Sequence, residues 1–561
     1  MVTNKYITKI ASVIMAAAVI LCLLACAFSQ KLQAVYGNNA VAMEYESKLF
    51  DTDQIMDIDI LMDEDDWNDM LENAISEEYY SCDVVVNGKT FYSVGIWPKG
   101  NTSLSSIAND PDTDRYSFKL EFDHYIEGQT CYGLDKLILN NNYADATNMK
   151  EAIVYDMYQY LGVDASLYNY AKICVNGDYW GVYLALEAVE DSFMLRSYGT
   201  EDGNLYKPES MGIGGGVDGN GFPQKGEMPD GEDFPQKGET PDGEDFPQMG
   251  EAPNGEAADI KMGIMGGNGG ADLNYTDDDL DSYSTIWDGE ITDSDKKDHK
   301  RVVEALKNIS EGTDLETYMD VDNILKYMAV HTFVVNDDSL SGTMAHNYYL
   351  YEYNGKLNIL PWDYNLSFGG MSMGGKMGGQ SLGATSVIND AIDTPFSITD
   401  FFDALLENEE YLEQYHGYLN ELVEKYVNGG EFEKTYERIR SQIDDLVGND
   451  PTAFYSYEEY EEAANMLIEV VQLRAKSVSG QLAGTIPSTD EGQQQDSSNL
   501  IDGSDIDLSV MGSFSGGGGG NEGQGKDNGF AGTPQPFDAG DVSPISEEKA
   551  DLQDSNQDSV K

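Results

Sequence analysis

The chain has 561 residues, with 101 acidic against 33 basic side chains and a formal net charge of −68. A polyanion of this size is repelled by phosphate backbones and anionic lipid headgroups, which disfavours nucleic acids and membrane surfaces as partners and favours cations and basic proteins. Hydrophobic residues at 40% and aromatics at 11% are ample for a core, while the 58 glycines cluster, so the composition predicts one large folded unit with appendages.

Lys5 and Lys9 precede an apolar run from Ile10 to Phe28, the charged and hydrophobic regions of an export signal. The run approaches the ~20 residues of a membrane helix, so an uncleaved anchor stands beside two processing sites. Leu23-Leu24-Ala25-Cys26 resembles a lipoprotein site with Cys26 lipidated, and Leu32-Gln33-Ala34 suits ordinary signal cleavage. Residues 1–34 are therefore read as a signal peptide or an N-terminal membrane or lipid anchor, the chain's single link to a membrane. Export is the expected destination. Of the cysteines outside this segment, Cys82, Cys131 and Cys174 are spaced too widely for a disulfide framework or a metal knuckle and read as small buried hydrophobes.

Dense, globular sequence follows. Three apolar runs are each broken by Asn-Gly, at Asn87-Gly88, Asn176-Gly177 and Asn354-Gly355. Both central residues of a type I′ turn need positive φ, so each reads as a β-hairpin. Between the first two, Met149, Ile153, Met157 and Tyr160 fall on one helical face, Asn148 with Glu151 offers a capping pattern, and Gly162 closes the helix. From Met211 to Ala271 the composition changes to Gly, Pro, Met, Asp and Glu, and a twelve-residue unit starts at Phe222, Phe234 and Phe246. So short a Pro/Gly period buries no hydrophobic face, so residues 211–271 read as a disordered insert. Asp277 onward places acids at several positions of a calcium loop, but Ser282 stands where that loop needs glycine. A second Gly/Met patch runs from Gly369 to Gly383, helical periodicity fills Thr399 to Leu482, and residues 489–561 read as a disordered acidic tail. Strands early and helices late give an α+β fold, antiparallel hairpins followed by a helical C-terminal region.

The five histidines show no HExxH or comparable spacing, and neither GxGxxG nor GxxxxGK[ST] occurs between a strand and a helix. Zinc hydrolase, Rossmann and P-loop chemistries are not indicated. The most informative stretch is NDDSLSGTMAHNYYLYEYNGKLNILPWDYNLSFGG, from Asn336 to Gly370. With a two-residue turn at Asn354-Gly355, Asn347 falls opposite Trp362 and Asp363 one step beyond. Strict alternation aims Asn347 and Asp363 at opposite faces, and a bulge at Pro361 or a longer loop would bring them together. The plain alternative is that Asn347 caps a strand and Asp363 begins a turn.

This stretch resembles the core signature of the spore coat CotH kinase family. VGIWPKGNTSL from Val94, RYSFKLEF from Arg115, LNNNYADATNMKEAIVYDMYQYLG, YAKICVNGDYWGVYLALEAVEDSF, GNLYK, ADLNYTDDDLDSY and SVSGQLAGTIPS extend the resemblance in order over residues 44–488. It implies a kinase-like fold and an exported atypical kinase that moves the γ-phosphate of ATP, with Mg²⁺ or Mn²⁺, to Ser/Thr of spore-coat or cell-envelope proteins. It also implies roles: Asp338 as catalytic base, or Asp337 if the register is one off, with Asn347 and Asp363 as metal ligands. Lys119, then Arg115, on one face of a strand, are expected on the α/β-phosphates, with Lys207 a third cation. Glu151 is expected to pair with such a lysine, or to serve as a helix cap, and Glu187 to lie near the base. One departure stands out. The family usually carries arginine before its KGN, where this chain has Trp97-Pro98 ahead of Lys99-Gly100-Asn101. Lys99 is the residue placed to cover that charge. The competing expectation is a non-catalytic surface or coat assembly protein on the same fold.

Overall fold

The computed structural model describes residues 41–209, 269–342, 344–371, 383–396 and 398–512. The expected N-terminal signal or anchor, nearly all of the repeat insert, most of the Gly369–Gly383 patch and the tail beyond 512 lie outside the described residues. No helix among the described residues is long and apolar enough to cross a membrane.

Among the described residues ten strands are formed: β1 (Met56–Leu61), β2 (Tyr80–Val86), β3 (Lys89–Lys99), β4 (Ser117–Glu121), β5 (Lys136–Asn140), β6 (Tyr168–Val175), β7 (Asp178–Glu187), β8 (Asn204–Tyr206), β9 (Tyr348–Tyr353) and β10 (Lys356–Pro361). Helices of eight residues or more are α1 (Glu64–Glu72), α2 (Lys150–Leu161), α3 (Asp191–Tyr198), α4 (Lys296–Ser310), α5 (Val321–Val334), α6 (Glu409–Glu421), α7 (Glu431–Val447) and α8 (Tyr457–Leu482). All three Asn-Gly hairpins are present, as β2–β3, β6–β7 and β9–β10. Asn87, Asn176 and Asn354 take φ of 49–55° and their glycines 80–88°, the conformation that a type I′ turn demands.

The first seven strands close into a barrel in the order β1-β2-β3-β4-β5-β7-β6, shut by a parallel pairing of β1 with β6. Strand residues alternate across the wall. Ile60, Val84, Val94, Ile96, Phe118, Leu120, Leu137, Leu139 and Ile173 fill one core cluster. Ile138, between two of them, instead joins a second cluster with α2 and the helical region. The polar alternates on that outer face, including Lys99, Lys119 and Asn140, are thereby aimed at what packs against the barrel. Pro98 fits in β3 because β2 ends its pairing at Ile96, so the missing N–H falls where β3 has a partner on one side alone.

Helix α2 begins and ends for different reasons. Gly162, at φ 74°, closes it as read. Its start uses neither Asn148 nor Glu151 as a cap. The Asp145 carboxylate accepts the backbone N–H groups of Thr147 (2.9 Å) and Lys150 (3.0 Å), the work of a capping side chain. Glu151 is left free to turn inward.

Two boundaries differ from expectation. Ala271 is fully buried and its carbonyl accepts the Tyr348 hydroxyl at 2.6 Å, so packed structure resumes before the insert's expected end. The fold also continues past 489. Met511 is fully buried, its carbonyl accepts Ala146 N–H at 3.1 Å, and the Ile501 carbonyl accepts the Asn389 amide at 2.8 Å. Residues 489–512 are polar in composition, but Ile506, Leu508 and Met511 supply enough apolar surface to dock on α8 and its neighbours.

Candidate functional site

The β9–β10 hairpin keeps an unbroken register through Pro361 opposite Tyr348. No bulge re-aims its open end. Instead Asn347 and Asp363 each adopt left-handed backbone, at φ 57° and 59°. Asn and Asp tolerate this region best among residues with a side chain. Two such residues, set diagonally at the hairpin's open end, take both side chains off the strict alternation.

The loop that follows α5 supplies the third polar residue. The Asn347 amide donates to the Asp338 carbonyl at 2.8 Å and to its Oδ2 at 3.1 Å. His346 Nε2 meets the other carboxylate oxygen of Asp338, Oδ1, at 2.8 Å. Asn336 bridges the two elements, its side chain donating to the Asp363 carbonyl at 3.3 Å. Behind the loop His331 in α5 contacts Tyr364 at 3.1 Å and Ser341 at 2.8 Å, while Ser339 and Ser341 hydroxyls both donate to the Asn336 carbonyl. Burial holds the His331 ring near a pKa of about 3, so it stays neutral and serves to position the loop.

Electrostatics joins these residues to the barrel. Burial pushes the Asp363 carboxyl up, Lys99 opposes it, and Asp338 adds repulsion. Lys99, at the end of β3, is pulled down by burial and by Lys207, against the attraction of Asp363 and Glu151. Glu151 is 4% exposed, and burial together with Asp363 raises it to about 8. Glu209, paired with Lys207, is held low by that lysine and by His346 and Lys99. For His346, burial presses downward, but the Asp338 carboxylate more than offsets it and keeps the ring above its ordinary 6.5. Asp338, Asp363, Asn347, His346, Lys99, Lys207, Glu151 and Glu209 thus form one interacting cluster. Asp337 neighbours it, but its side chain is exposed.

Three expected site residues are engaged elsewhere. Arg115 is 1% exposed, and its guanidinium is taken by Asp450 (2.9 Å), Thr452 and the carbonyls of Asn141 and Val182. It precedes β4 and ties the barrel to the α7–α8 connection. Glu187 is fully buried, gripped by Arg196 at 2.6–2.8 Å and by the Tyr45 hydroxyl at 2.6 Å. Lys119 does share the outer face with Lys99, but Glu190 pairs with both it and Lys136, and the Trp97 ring lies 5.0 Å from its ammonium. Of the barrel lysines, Lys99 is the one whose charge acts on Asp363. His346 and Asn140 lie within the quoted motif stretches but were given no part in the site, and Glu209 lies outside those stretches.

Two carboxylates and the amide oxygen of Asn347 are hard donors of the kind Mg²⁺ selects, and Mg²⁺ is commonly held by one or two carboxylates with phosphate and water completing its shell. The donor set fits that pattern. Among the described residues no group of three or more His, Cys, Asp or Glu side chains is gathered as a ready metal cage.

A family model described as CotH kinase protein matches residues 98–478. No curated protein matches the chain. The match begins inside β3 and ends inside α8, so β1, β2 and the packed segment to Gly512 lie outside it although they complete the same folded body.

Proposed function

The chain belongs to the CotH kinase family, and from that premise we propose that it is an exported atypical protein kinase of kinase-like fold, transferring the γ-phosphate of ATP to Ser/Thr of spore-coat or cell-envelope proteins. The observation that carries this reading is the meeting of Asp338, Asn347 and Asp363 with Lys99 in one cluster. Phosphoryl transfer asks for positioning and charge neutralisation more than for covalent help.

In this reading Asp363 and the Asn347 amide oxygen hold Mg²⁺ or Mn²⁺, which when bound neutralises the triphosphate. Lys99 and Lys207 bind phosphate oxygens, with Glu209 yielding Lys207 to the nucleotide. Lys119 remains a more distant cation on the same face. Asp338 orients the acceptor hydroxyl and takes its proton as the new O–P bond forms and the bond to ADP breaks. The neighbouring His346, whose Nε2 meets Asp338 Oδ1, holds that carboxylate in place for the task. A net charge of −68 favours basic acceptor proteins. The N-terminal signal or anchor carries the chain to the outside, at the cell surface or in a spore coat.

A second reading, a non-catalytic assembly protein, is favoured by Trp97-Pro98 in place of the family's arginine and by Lys119 being neutralised by Glu190. The two separate by incubating the purified chain with γ-labelled ATP, Mg²⁺ and a basic acceptor protein, beside Asp338→Ala and Asp363→Ala. Transfer by the native chain alone supports the kinase. Equal labelling in all three, or none, leaves the assembly protein.

A further inference from the structure

Lys99 and Glu151 do not touch directly. Between them stands Asn140, the last residue of β5, whose carbonyl oxygen accepts Lys99 Nζ at 3.0 Å and whose amide nitrogen donates to Glu151 Oε2 at 2.9 Å. The orientation is fixed by the ammonium, which has donors alone, so the flipped amide would set NH₂ against it. Asn140 reaches this position because Leu137 and Leu139 point into the barrel core, which turns Asn140 outward one step along. Its partner Glu151 sits in the first turn of α2 with its other oxygen, Oε1, buried and without a hydrogen bond.

We propose that Asn140 is the positioning residue that fixes the Lys99 ammonium opposite Asp363 and makes that position depend on α2. This inference deepens the kinase reading, since Lys99 is there the phosphate-binding cation. An ammonium has three donors. Satisfying one with a neutral amide leaves two for phosphate oxygens, whereas a direct pair with Glu151 would draw the charge toward the carboxylate and away from Asp363. The amide links the two side chains without neutralising the ammonium. A movement of the α2 N-terminus that draws Glu151 away therefore releases one side of the amide that holds Lys99.

The test reads Lys99 itself, so it does not depend on catalysis. The full chain, Asn140→Ala and Asn140→Asp are reacted with a small amine acylating reagent across pH, and modification of Lys99 is followed by mass spectrometry against the other lysines. Loss of a hydrogen bond to an ionised group releases the free amine, so Asn140→Ala should label at Lys99 about tenfold faster at a given pH. Asn140→Asp, nearly isosteric, places a negative charge beside Lys99 and should slow labelling there by a comparable factor. Opposite shifts confined to Lys99 support the inference, and equal profiles in all three proteins overturn it. If Asn140→Ala is poorly folded, the Asn140→Asp arm decides alone. In the transfer assay Asn140→Ala should raise the KM for ATP more than it lowers kcat. Absence of ATP binding or turnover by the native chain would remove the kinase reading while the labelling profiles still decide the role of Asn140.

Discussion

The Asn347 side-chain amide donates to Asp338 twice, to the backbone carbonyl at 2.8 Å and to carboxylate Oδ2 at 3.1 Å. One residue on the hairpin's strand end thus fixes both the path of the α5–β9 loop and the aim of the carboxylate assigned to the acceptor hydroxyl. Replacing Asp338 by Asn keeps the shape and removes the base. Steady-state transfer should fall by about 10²–10⁴-fold in kcat, the usual yield of general-base positioning, with little change in Mg·ATP affinity measured by titration calorimetry.

Arg115 offers a contrast between two roles for a buried cation. Its pair with Asp450 is 1% exposed at both ends. Truncating one partner strands the other charge, at about 3–5 kcal/mol. Arg115→Ala should lower stability by that amount in denaturant unfolding, and the KM for ATP of the protein that remains folded should stay at the native value. A raised KM with unaltered stability would instead return Arg115 to the phosphate site.

The segment beyond the family match is part of the fold. Met511 is fully buried in the same core cluster as α2 and α8. Met511→Ala should cost about 2–5 kcal/mol, as for other buried large-to-small changes. Thermal denaturation would register this as a lowered midpoint. No change would mean that the segment merely rests on the surface.

His346 carries a pH signature. Its folded pKa lies above the ordinary 6.5 because of Asp338, so the imidazolium binds its proton more tightly when folded. The stabilisation is complete below pH 6.5 and is lost as pH rises through the folded value. The stability of the native chain minus that of His346→Gln should therefore shrink as pH rises above 6.5. A difference growing with pH would contradict the pairing.

What the sequence disclosed followed short-range chemistry. Asn-Gly between apolar runs is a local signal, and all three hairpins formed, with the third carrying Asn347 and Asp363 in the expected register. What stayed hidden depends on contacts far along the chain. Arg115 and Lys119 look alike in RYSFKLEF, and their fates are decided by Asp450 and Glu190, 335 and 71 residues away. Glu187 likewise goes to Arg196 and Tyr45. The bulge anticipated at Pro361 was unnecessary because two left-handed residues turn the side chains, a choice that strand periodicity does not encode. The fold beyond 489 was missed because a few scattered apolar residues suffice to dock a polar segment onto an existing surface.

On the proposed function a cation and a triphosphate meet between the hairpin end and Lys99. A crystal structure with Mn²⁺ and a non-hydrolysable ATP analogue, read at the manganese anomalous edge, decides whether they do. The expected result is an anomalous peak held by Asp363 and the Asn347 amide oxygen, with phosphate oxygens on Lys99 and the γ-phosphate facing Asp338. Manganese or nucleotide bound elsewhere, or a site that stays empty at saturating concentrations, would contradict it.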